Sequence, residues 1–85
     1  SLTPDVMRAD AETRAAYEVV FGQIVEQIAK GLPHLPPEIA RHRAIVLLSL
    51  LSGGVTVARS MASTEQSAAI GNALRSTAIA LVSGK

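Results

Sequence analysis

The sequence contains no cysteine, which excludes disulfides and thiolate metal sites and leaves the redox compartment unmarked. Aromatic residues are almost absent, with only Tyr17 and Phe21 present, so a core would be built from Ala, Val, Ile and Leu, as in closely packed helices. No sign of charge dominates. Eight basic residues stand against seven acidic ones, and no lysine- or arginine-rich block occurs. This argues against nucleic-acid binding by these residues, which normally needs a concentrated basic face. The longest uncharged run, residues 44–58, would measure about 22 Å as a helix, short of the ~30 Å hydrocarbon core of a bilayer. That run also holds five Ser, Thr or Gly residues, so no membrane span is expected. The first residues are polar, with Asp5, Arg8, Asp10 and Glu12, and do not form a signal peptide. A cytoplasmic location is expected. The two histidines, His34 and His42, are not read as metal ligands, and no cofactor is implied.

What is present is hydrophobic and helically patterned. Hydrophobic residues make up 48% of the chain, too many for a disordered tail. Eighty-five residues allow one domain at most, expected to be a piece of a longer chain and marginal without a second subunit. A lead-in or short helix from Pro4, capped by Thr3, precedes a long helix capped by Asp10. Tyr17, Val20, Phe21, Ile24, Val25 and Ile28 then follow the i, i+3, i+4, i+7 pattern, and Gly31 with Pro33 ends the helix. A second helix is expected from Pro37 to Ser60, continuous through Gly53-Gly54, with another backbone approaching closely at Gly53. Its first two turns (Glu38, Arg41, His42, Arg43) read as solvated. Ser63-Thr-Glu-Gln66 has the form of a capping box and opens a third helix to about Val82. The expected fold is all-α: an antiparallel bundle of three main helices, pairing with a second subunit into a four-helix-bundle interface.

The second helix has two unlike faces. Ala44, Leu47, Leu48, Leu51, Val55 and Ala58 make an aliphatic stripe directed toward the chain's own core. Ser49, Gly53, Thr56 and Ser60 lie opposite, flanked by Ile45, Val46 and Val57, which would be wasteful in water. This small face is assigned to a homodimer interface, together with Ser67, Gly71 and Ala78 of the third helix. Tyr17, Phe21 and Ile24 read either as ordinary core or as walls of an apolar ligand pocket between helices. Arg59 fits equally a helix C-terminal charge and half of an intersubunit ion pair. Serines are plentiful (Ser49, Ser52, Ser60, Ser63, Ser67, Ser76), but no nucleophile elbow occurs and no histidine shares a suitable face, so no enzyme is expected.

Over residues 50–75 the chain resembles a known pattern: a Gly, four residues, Ala-Arg, then a short turn leading to a Ser in the last helix. Gly53, Ala58, Arg59 and Ser67 occupy these places. The chain is similar there to the C-terminal domain of the TetR/AcrR family of bacterial transcriptional regulators. The resemblance implies a dimerisation and effector-binding domain of a regulator, expected to be a repressor, whose last two long helices pair across a two-fold axis. It implies a small apolar effector, and operator DNA bound only through an N-terminal helix-turn-helix domain that these 85 residues lack. The alternative is a stand-alone helical interaction module or a membrane-active helical bundle.

Overall fold

The computed structural model describes residues 4–84, which form three helices: α1 (Pro4–Lys30), α2 (Pro37–Arg59) and α3 (Thr64–Val82). No strand occurs among the described residues, so the all-α expectation holds. The three helices do not close into a bundle. Among the described residues α2 packs against both α1 and α3, while α1 and α3 do not meet. The chain measures 48 × 39 × 14 Å, the thickness of about one helix. It is a single layer with α2 as its common member.

Local signals explain where each helix starts and stops. Pro37 occupies the first turn of α2, where its missing N–H leaves no bond unmade, and the first helical bond runs from Ala40 N to Pro36 O at 2.8 Å. Ser63 Oγ accepts from Gln66 N at 3.2 Å and caps α3 as the box predicts. The start of α1 differs from expectation. The helix runs unbroken from Pro4, so Asp10 is an internal residue paired with Arg14 one turn on, at 3.8 Å, rather than a cap. Thr3 lies outside the described residues. Gly31 follows the last residue of α1 but does not use a left-handed conformation. The helix instead tightens at its end, with Gly31 N bonded to Ile28 O (2.9 Å) and Leu32 N to Ala29 O (3.0 Å).

The core sits at the α1–α2 junction. Leu32, Leu35 and Ala40 are buried under Ile28 and Ala29, and Val25 packs nearby at 1% exposure, with Ala44 fully buried. Away from the junction the layer opens. Residues 10–20 of α1 are all exposed, and the expected inward face survives only in Phe21, Val25 and Ile28. Tyr17, Val20 and Ile24 remain exposed because no third element crosses α1 there. The aliphatic stripe of α2 is covered only in part for the same reason. Ala44 is buried and Leu47, Leu48 and Ala58 are half-buried, but Leu51 and Val55 are exposed between the two flanking helices.

Within the chain, the close contact at the glycine pair falls on the second glycine. α2 continues through both, as expected, yet Gly54 and not Gly53 meets a neighbour, and that neighbour is a side chain. A Cβ on Gly54 would overlap the Leu74 Cδ1 methyl and come within 3.0 Å of Cδ2. Gly54 is thus the hole that receives Leu74 and sets the α2–α3 spacing. Around Gly53 nothing lies within 4 Å of a built Cβ.

One further expectation changes at the helix ends. Arg43 is half-buried rather than solvated, and its Nη1 donates to Ser83 O (2.9 Å) and Leu81 O (3.3 Å). His34 of the connector is exposed and bonds through Nε2 to Val82 O at 2.9 Å. Arg41 pairs with Glu26 across the α1–α2 junction. Gly54→Ala should lower stability by about 1–3 kcal/mol through overpacking. Gly22→Ala, with open space at its Cβ, should raise it by roughly 1 kcal/mol through helix propensity. Urea unfolding of both variants measures the contrast.

Candidate self-association surface

Winding α2 at 100° per residue shows how its circumference is divided. Arg43, Leu47, Leu50, Gly54 and Ala58 point to α3, as the Gly54–Leu74 contact and the Arg43 hydrogen bonds require. Ala40, Ala44, Leu48 and Ser52 point to α1. The remaining arc carries Ile45, Ser49, Gly53, Thr56 and Ser60, all exposed, with Val57 at 48% exposure and Val46 half-buried at its edge. The α2 residues assigned to an interface therefore share one uncovered face. Two of the three hydroxyls on this face, those of Thr56 and Ser60, turn inward to their own helix. Ser60 Oγ donates to Thr56 O at 2.7 Å, and Thr56 Oγ1 to Ser52 O at 3.4 Å. Such back-bonding satisfies donors locally, so another helix can approach without stranding them.

The α3 residues assigned with them do not stay together. Ser67 and Ala78 lie on the half-buried stripe Ser67, Ile70, Leu74, Ala78, Leu81 that faces α2. Gly71 is exposed, with nothing within 4 Å of a built Cβ. The periodicity of small residues marked all three, and only the position of α2 separates them.

Tyr17, Phe21 and Ile24 do converge. With Val20, Leu48 and Ser52 they line a recess of about 90 Å³ between α1 and α2. The rings of Tyr17 and Phe21 are stacked, 6.2 Å apart. Pockets for drug-sized ligands hold roughly 300–1,000 Å³, so one chain supplies only a wall of such a site. A larger groove of about 510 Å³ lies at the α1–α2 junction, floored by Leu32, Leu35 and Ala40 and rimmed by Glu26, Lys30, Glu38 and Arg41. No sequence motif marked it. It arises because the proline-rich connector holds the two helix ends apart.

Glu38 stands one turn before His42, a spacing that ligands use, but no cluster of three or more His, Asp or Glu forms among the described residues. No helix of the described chain is long and apolar enough to cross a membrane.

The accessible surface gives the surface its scale. A folded monomer of 8.9 kDa is expected to expose about 4,800 Å². This chain exposes 6435 Å², an excess of roughly 1,600 Å². Large apolar side chains are part of this surface: Val19, Ile39 and Ile79 are exposed beside those already named, and Tyr17 is 65% exposed. Removing the Tyr17 ring from a lone chain should therefore cost under ~1 kcal/mol, and removing the half-buried Phe21 ring about 2 kcal/mol, less than the 3–5 of a full core position. Urea unfolding of Tyr17→Ala and Phe21→Ala checks this, and a larger Tyr17 cost signals that a partner covers the ring.

Comparison with protein-family models, with curated proteins and with solved structures gives no match.

Proposed function

We propose that this chain is a homodimerising all-α domain in which the outer face of α2 meets its symmetry mate, with Gly53 at the point of closest approach. The excess surface is the observation that carries the reading. Obligate dimers bury roughly 1,000–2,500 Å² per partner, and the ~1,600 Å² excess falls within that range. Open space at Gly53, inward-bonded hydroxyls and exposed Ile45 and Val57 support this face as the contact. A single helical layer needs a second layer to enclose a core, and a second copy is the simplest source of one.

The biological role we propose is the dimerisation and effector-binding half of a TetR-type transcriptional regulator. It rests on the resemblance carried by Gly53, Ala58, Arg59 and Ser67. In this reading a small apolar effector enters between α1 and α2, beside Tyr17, Phe21 and Ile24, in a site completed by further residues. The resulting shift changes the separation of two DNA-reading domains that must match fixed half-site spacing. The reading frame upstream of Ser1 tests the regulator role: a basic helix-turn-helix segment there supports it, and its absence removes it.

Gly53→Leu tests the dimer face. Overpacking of about 1–3 kcal/mol should weaken association roughly 5- to 150-fold, seen as a lower mass in light scattering near the dissociation constant. Gly22→Ala, far from the face, should leave association unchanged. An unaltered mass for Gly53→Leu would sink the assignment of this face.

A further inference from the structure

We propose that His34 and Arg43 form a latch that couples the α1–α2 junction to the C-terminal end of α3. It goes beyond the proposed function and stands whether or not the chain pairs. The need for a latch follows from how α3 is held. None of its residues is fully buried, and it touches α2 only through a half-buried stripe. Its last turn has no basic residue of its own to meet the exposed carbonyls. Ser83 closes the helix in an extended conformation, and its hydroxyl and N–H both donate to Ala80 O.

Three carbonyls at this end are met from outside the helix. Arg43 of α2 serves the carbonyls of Leu81 and Ser83, and His34 of the connector serves that of Val82. Because a carbonyl only accepts, His34 Nε2 must carry the proton in this bond. Gly84 packs on the same ring, with His34 Cδ2 3.6 Å from the place of a Cβ. Three successive carbonyls thus bind two side chains, one from α2 and one from the connector.

The topology gives the latch its consequence. α1 and α3 share no packing among the described residues, so displacement of α1 has two routes to α3: through the body of α2, or through the connector that begins at Gly31. The connector is braced on the Leu32–Leu35–Ala40 cluster, which Ile28 and Ala29 of α1 cover. A change in the seating of α1 therefore moves His34, and His34 moves the end of α3.

The test is a double-mutant cycle read by amide hydrogen exchange at residues 80–83, with residues 66–71 as the internal reference. Arg43→Met should speed exchange at 80–83 roughly tenfold, the scale of losing hydrogen bonds to a charged donor, and leave 66–71 unchanged. Ile28→Val, a mild loosening of the junction, should speed exchange at 80–83 in the unaltered chain and have no such effect once His34→Ala has cut the link. The larger Val25→Ala serves as a second perturbation in the same two backgrounds. If the junction variants leave 80–83 unchanged, or act equally with and without His34, the latch is overturned.

Discussion

The structure depends on α2 being shared. A helix can bury only part of its circumference against one neighbour, and here α1 and α3 each take an arc without reaching one another. The contact that fixes this arrangement is small: Leu74 seated over Gly54, where any side chain would collide. It brings α3 close to α2 at the cost of a glycine inside a helix, about 1 kcal/mol relative to alanine. Because Leu74 meets α2 at Gly54 and Ala44 meets α1, the opposite side of α2 is left bare along most of its length.

Helix content, the helix ends other than the start of α1, and the Ser63 cap were legible in the sequence because they are decided within a few residues by proline, glycine and hydroxyl chemistry. The division of α2 into a small face and an aliphatic stripe was legible for the same reason. What the stripe touches was not. Periodicity shows that Leu51 and Val55 belong to an apolar face. It cannot show that α1 has drawn away at that level and left them exposed. That Gly54 and not Gly53 meets α3 within the chain is a difference of one residue, or 100° of rotation, and only the neighbour's position decides it. Asp10 misled because an acid before a periodic run is a good cap, yet the chain upstream was already helical and Asp10 pairs with Arg14 instead.

The polar residues found at the helix ends share a theme that spacing does not reveal. Arg43 and His34 lie far in sequence from the carbonyls they serve, and Arg41 reaches Glu26 across the junction. Arg41 and Arg43 read as solvated because they stand in the charged first turns of α2. In a protein this thin, long side chains bridge elements that the apolar core is too small to fasten. The recess beside Tyr17 belongs to the same geometry: a shallow hollow between α1 and α2.

On the proposed reading, a layer 14 Å thick with so small a core gains its stability from a second copy laid on its bare face. Sedimentation equilibrium of the unaltered chain tests this most directly. A mass near twice 8.9 kDa at micromolar concentration, with an unfolding midpoint that rises with protein concentration, is the predicted result. A folded species of 8.9 kDa with a concentration-independent midpoint would contradict it.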